Sequence, residues 1–154
     1  MSTVCLVGPS DSGKTTLMAA LVDELGDYGR VATIKSIHHD IEVDTPGKDT
    51  YRHREAGADT VVGLTPSLSF QVTPGGKAAA ASETALLDDT VDRLHAEGYE
   101  FVLVEGFGES AYPKIAVGER ADTEPPVVAR GTAETLDLNA LAADIADGTL
   151  GEGT

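Results

Sequence analysis

Gly8-Pro9-Ser10-Asp11-Ser12-Gly13-Lys14-Thr15 places glycine at its first and sixth positions, lysine at the seventh and a hydroxyl at the eighth. That spacing belongs to a loop that cradles phosphates. Glycines let backbone N–H groups converge on an anion without interference from a Cβ. A helix opening at Lys14 aims its positive end at the same point. Lys14 then brings a point charge to the β- and γ-phosphates, and Thr15 offers a hydroxyl to Mg²⁺, with Thr16 beside it. The context fits, because the apolar run Thr3–Gly8 precedes the loop and an amphipathic pattern follows it. The residues point to a nucleoside triphosphate and leave its base open. Base-reading segments of the Asn-Lys-x-Asp kind do not occur.

A loop of this kind needs an acid at the end of a neighbouring strand. Phe101-Val-Leu-Val-Glu105-Gly106 supplies it, since a carboxylate after four apolar residues is costly in a core and belongs at the strand's exit. Glu105 is either a ligand in the Mg²⁺ shell or a base for an attacking water. Residues 34–58 hold the other chemistry-bearing group. His38 and His39 are adjacent and so cannot share one strand face. With Asp40 they form a metal site, a pH-sensitive anion site or a polar turn. A Pro46-Gly47 turn leads into Lys48, Asp49, Arg52, His53 and Arg54, a set of residues able to close over phosphates.

The elements that carry these residues alternate. Strands are expected at 3–8, 30–35, 99–107, 114–118 and 125–131, and helices at 14–25, 49–57, 82–98 and 136–148. Asp49 is the expected N-cap of the second helix and Gly57 its stop. Residues 59–64 and 67–72 flank Thr65-Pro66 as a β-hairpin, and 75–82 reads as a surface loop. The order is that of an α/β layered fold around a mainly parallel sheet, a single domain over 1–150 with a frayed tail at 151–154.

Composition narrows the partners. The 154 residues hold 26 acids against 11 lysines and arginines, a net charge of −15. A surface of that sign repels nucleic acid and anionic membranes and suits concentrated salt. Six of the 11 bases (Lys14, Arg30, Lys35, Lys48, Arg52, Arg54) and three of the four histidines nonetheless fall within residues 14–54. Gathered cations in so acidic a chain point to anion handling there, with pairing to acids such as Asp49 and Glu55 as the plainer account. No apolar run approaches the roughly 20 residues that cross a bilayer, and no leader pattern precedes the first strand, so the expectation is a cytoplasmic protein. The single cysteine, Cys5, reads as a buried strand thiol.

Four stretches read together, GPSDSGKTTL, IKSIHHD, DTPGKDTYRHREAGA and VEGFGESAYPKI, resemble the MobB family, molybdopterin-guanine dinucleotide biosynthesis protein B, over roughly residues 3–117. The resemblance implies a three-layer P-loop NTPase fold with a β-hairpin extension, GTP binding with Mg²⁺, feeble GTP hydrolysis and a homodimer built partly through β-structure. It implies an adapter that assists a MobA-type nucleotidyltransferase in joining GMP to molybdopterin, binding GTP, molybdopterin or its guanine dinucleotide. By position, Gly8, Gly13, Lys14, Thr15 and Thr16 would serve phosphates and Mg²⁺. His39, Asp40, Asp44, Gly47, Lys48, Asp49 and Arg52 would form a second signature, and Glu105-Gly106-Phe107 a third. The chain departs from the family where many members carry histidine in place of Ser36 and lysine in place of Gly108. Two other functions remain compatible with the residues: a small-molecule kinase using 36–58 as acceptor site, and a metallochaperone-type GTPase loading metal through His38, His39 and Asp40.

Overall fold

The computed structural model describes residues 1–118 and 124–150; the expected tail at 151–154 lies outside them. The chain parts into two compact units, one formed by residues 1–36 with the described part of 83–154, the other by 37–82.

The first unit holds β1 (Ser2–Val7), α1 (Lys14–Leu25) and β2 (Val31–Lys35). The second holds α2 (Asp49–Glu55), β3 (Val61–Leu64), β4 (Ser69–Val72) and a one-turn helix α3 (Gly76–Ala79). The first unit resumes with α4 (Glu83–Ala96), β5 (Phe101–Glu105), β6 (Lys114–Val117), β7 (Val127–Gly131) and α5 (Leu138–Asp147).

Its five strands form one sheet in the order β2-β5-β1-β6-β7, every pair parallel. The central strands are apolar at successive positions because both sheet faces are covered. Val4, Leu6, Leu103 and Ile115 pack on Leu17, Leu21 and Leu25 of α1 and on Leu141 and Ile145 of α5. Cys5, Val7, Val102, Val104 and Ala116 point the other way, onto Leu87 and Val91 of α4 and onto Phe107. The leucines spaced four apart along α1 are therefore its buried stripe, each worth about 2 kcal/mol of removal from water. This is a mainly parallel α/β sheet between helical layers, with a separate antiparallel hairpin.

The sequence misplaces three local details. Thr65 pairs with Leu68 through a 2.8 Å hydrogen bond from its N–H to the Leu68 carbonyl, so the hairpin turn centres on Pro66-Ser67 rather than Thr65-Pro66. The Thr65 hydroxyl accepts from the N–H of Leu68 at 2.9 Å, a local closure that replaces the missing Asn-Gly. Residues 75–82 contain the turn of helix α3, because Lys77 and the alanines after it are strong helix formers. The N-cap of α2 is Lys48, with Asp49 one residue inside. The Lys48 N–H bonds back to the Thr45 carbonyl at 3.2 Å, so the helix leaves directly from the Pro46-Gly47 turn. Asp49 at the first helical position still meets the positive end of the helix.

Candidate functional site

The loop of residues 8–13 runs from the end of the central strand β1 to the start of α1. Its path depends on bends that few residues tolerate. Gly8 passes so close to β6 that an added Cβ would lie 2.3 Å from the Val117 carbonyl oxygen. Gly13 has φ +96°, and Asp11 also adopts a positive φ of 61°. Gly13 caps α1 without a side-chain acceptor. The first-turn N–H groups of α1 therefore point out of the helix with no intrahelical acceptor, as at any uncapped helix start.

Lys14 is half-buried and its ammonium folds back on the loop, donating to the carbonyls of Gly8 at 2.5 Å and Pro9 at 3.1 Å. The Ser12 hydroxyl oxygen is buried without a hydrogen-bond partner. An orphaned hydroxyl in the loop that leads into an uncapped helix start fits an anion such as a phosphate. Parallel pairing puts Glu105 of β5 opposite Leu6 of β1, two residues before the loop. Its Oε1 accepts a hydrogen bond from the Thr15 hydroxyl at 3.2 Å. A hydroxyl and a carboxylate so joined are the oxygen donors a hard cation such as Mg²⁺ takes. Gly8, Pro9, Ser10, Asp11, Ser12, Gly13, Lys14, Thr15 and Thr16 are thus contiguous around one helix start, with Glu105 beside them.

Past Glu105 the chain turns through two positive φ values, Gly106 at 108° and Phe107 at 57°. A left-handed phenylalanine costs roughly 1 kcal/mol or more. Burial of its ring among Cys5, Val7 and Val104 offsets that cost. At Gly106 an added Cβ would come within 2.7 Å of the Ser36 Cβ, so the turn also needs a residue without one. Lys114, fully buried at the start of β6, donates its ammonium to the carbonyls of Ser110 and Tyr112. Burial pulls its pKa below the usual lysine value, opposed by Cys5, Glu124 and Glu109. The Cys5 thiol is buried as expected and its pKa is pushed up by burial, with Ser110 at 3.5 Å as its neighbour. Tyr112 is also raised, by burial and then by Asp88. Phe107 stands in the third signature, though its left-handed backbone is not visible in the sequence, and Lys114 is not among the residues singled out there. A lysine opening the apolar run Lys114-Ile-Ala-Val was the visible signal for it.

The remaining candidates, His39, Asp40, Lys48 and Arg52, belong to the 37–82 unit, and all four are exposed. Lys48 and Arg52 stand one helical turn apart, with the Arg52 N–H bonded to the Lys48 carbonyl at 2.9 Å. Asp44 accepts from the Thr50 hydroxyl at 2.9 Å and so ties the turn to the start of α2. Among the described residues no group of three or more His, Cys, Asp or Glu side chains assembles as a metal site. Two of the arginines have local aromatic partners within their own units. Arg30 stacks 4.3 Å from the Tyr99 ring and donates to the Glu97 carbonyl, and Arg54 lies over Tyr51.

Residues 3–144 match the family model of molybdopterin guanine dinucleotide synthesis protein B, MobB. The chain belongs to the MobB family. It is 33% identical over 149 residues to the molybdopterin-guanine dinucleotide biosynthesis adapter protein of Escherichia coli, covering 90% of this chain and 82% of that one. It is 35% identical over 121 residues to the adapter protein of the same name from Haemophilus influenzae, covering 78% of this chain and 65% of that one. The match thus spans just under two thirds of the Haemophilus relative. The crystal structure of Bacillus subtilis MobB superposes with a TM-score of 0.69 at 16% identity, covering 94% of this chain and 98% of that one. That likeness shows the shared fold. Among the described residues no helix is long and apolar enough to cross a membrane.

Proposed function

We propose that this MobB chain is a GTP-binding adapter in molybdopterin guanine dinucleotide synthesis, acting in the cytoplasm beside a MobA-type nucleotidyltransferase that joins GMP to molybdopterin. The observation that carries the reading is the Thr15–Glu105 pair beside the residue 8–15 loop, in a chain whose relatives bear the adapter name. The loop backbone, Lys14 and the start of α1 hold the triphosphate. Thr15 and Glu105 hold Mg²⁺, which when bound neutralises phosphate charge. Binding requires Lys14 to leave the Gly8 and Pro9 carbonyls, which are its only partners among the described residues.

Hydrolysis is weak on this reading. Residues 8–16 hold no glutamine to orient a water and no arginine to stabilise charge, the groups that account for most GTPase acceleration. Lys48 and Arg52 supply further cations to the γ-phosphate or to the pterin phosphate, with His39 and Asp40 in the same signature. A second copy of the chain covers the exposed face of the hairpin, where Val62 and Leu64 stand on the opposite side from buried Val61.

Reconstitution tests this. Added to a MobA-type enzyme with molybdopterin, GTP and Mg²⁺, the protein raises the yield of guanine dinucleotide, and Lys14→Ala does not. Equal yields with and without the protein would reject the adapter reading. Transfer of labelled γ-phosphate to a small acceptor would replace it with a kinase.

A further inference from the structure

The segment leaving Glu105 returns to the sheet at Lys114, and both of its ends are pinned. At the near end the Gly106 N–H bonds the Leu6 carbonyl at 2.9 Å, and Phe107 is buried beneath the turn. In the middle the Ser110 N–H bonds the Phe107 carbonyl at 3.1 Å. At the far end the Pro113 carbonyl accepts from the Cys5 N–H at 2.9 Å. Inside the loop lies the fully buried Lys114 ammonium, which takes the Ser110 and Tyr112 carbonyls, the latter at 3.0 Å. A lysine ammonium is seldom fully buried, and only hydrogen bonding to its surroundings makes that tolerable. The loop it organises begins at the residue that accepts from Thr15.

We propose that Lys114 is a positioning residue for the metal side of the nucleotide site. Its ammonium holds the carbonyls of Ser110 and Tyr112, fixes the 106–113 loop, and so sets the direction in which Glu105 presents its carboxylate. The inference rests on the reading of Thr15 and Glu105 as Mg²⁺ donors. It goes beyond that reading in giving the buried lysine, 9 residues further along the chain, control of metal affinity rather than of phosphate affinity. Residues that orient a metal ligand typically cost tenfold or more in metal affinity when removed.

The test is a titration of GTP at varied Mg²⁺ and again in EDTA, on the wild type and on Lys114→Met, which keeps the volume and removes the donors. The expected result is that Lys114→Met needs about tenfold more Mg²⁺ for half-maximal GTP affinity, while affinity in EDTA changes less than about twofold. In a Glu105→Gln background the same substitution adds no further shift, because the two act through one carboxylate. A variant that loses melting temperature with an unmoved Mg²⁺ curve overturns the inference and leaves the nucleotide reading standing. Additive shifts in the double variant overturn it equally. A wild type that binds no GTP removes the nucleotide reading and the inference with it. If Lys114→Met does not fold, hydrogen exchange on the wild type decides. The Gly106 and Ser110 amides exchange as slowly as those of β1 and β5, and exchange at the rate of exposed turns rejects the proposal.

Discussion

The loop around Lys14 and the signature around Lys48 both present cations, but they stand on different footings. The first grows from strands whose side chains are buried on both faces; its Gly8 is forced by the neighbouring Val117 carbonyl and its Gly13 by a positive φ. The second lies in a unit with little interior. Apart from Met1 and Tyr28, every large apolar side chain exposed among the described residues falls within 37–82, including Ile41, Val43, Val62, Leu64 and Leu68. Even the hairpin relies on a local device, the Phe70 ring lying across Gly63 of the facing strand. The contrast teaches that the chain spends its hydrophobic burial on holding one site rigid. The other signature sits in a unit that leaves most of its large apolar side chains exposed.

The largest expected difference between the two regions is in nucleotide affinity. Lys14→Ala lowers GTP affinity by about a hundredfold, since it removes a charged donor from a preorganised ring. Lys48→Ala with Arg52→Ala lowers GTP or molybdopterin affinity only about tenfold, as suits exposed charges. Equal effects in a titration at working salt would erase the distinction.

Stability sharpens it next. Leu21→Ala in α1 costs about 3 kcal/mol in a denaturant melt, because it leaves a cavity beneath the sheet. Leu64→Ala in the hairpin, 80% exposed, changes stability by less than about 0.5 kcal/mol at concentrations too low for self-association. At higher concentration, Leu64→Asp shifts the sedimentation coefficient toward the monomer.

The smallest effect is alkaline. Burial raises the Cys5 thiol above its ordinary 9.0, so above that pH the unfolded chain loses a proton that the folded chain keeps. Stability therefore falls as pH rises past 9.0, by at most about 1.4 kcal/mol per pH unit, and Cys5→Ala removes that component. Tyr112 acts in the same direction above 10.0, whereas the lowered Lys114 makes stability rise as pH approaches 10.5. In the 37–82 unit the raised Tyr51 owes its shift first to a hydrogen bond with Glu55 rather than to burial. Comparative melts at pH 8 and above, with and without Cys5, test this.

What could be read in the sequence follows the same division. Continuous apolar runs, a glycine-rich loop and a leucine every fourth residue each have one good solution, so the strands, α1 and the parallel sheet were legible. So was Glu105, because a carboxylate ending an apolar strand has few places to go. The hairpin turn and the cap of α2 were not, because they are set by local hydrogen bonds of Thr65 and Lys48 that no periodicity encodes. Arg30 looked like part of an anion site only because neighbours in sequence need not be neighbours in space; its guanidinium belongs to Tyr99 and Glu97. Lys114 was hidden for the opposite reason, since a lysine at a strand's start normally reads as solvated.

On the proposed reading the residue 8–15 loop with Glu105 grips GTP and Mg²⁺. An equilibrium titration of the wild-type protein with GTP and with ATP, in Mg²⁺ and in EDTA, tests it most directly. The expected result is saturable binding that strengthens with Mg²⁺, prefers GTP and is lost in Lys14→Ala. Binding that is indifferent to Mg²⁺ and unchanged by Lys14→Ala would contradict it.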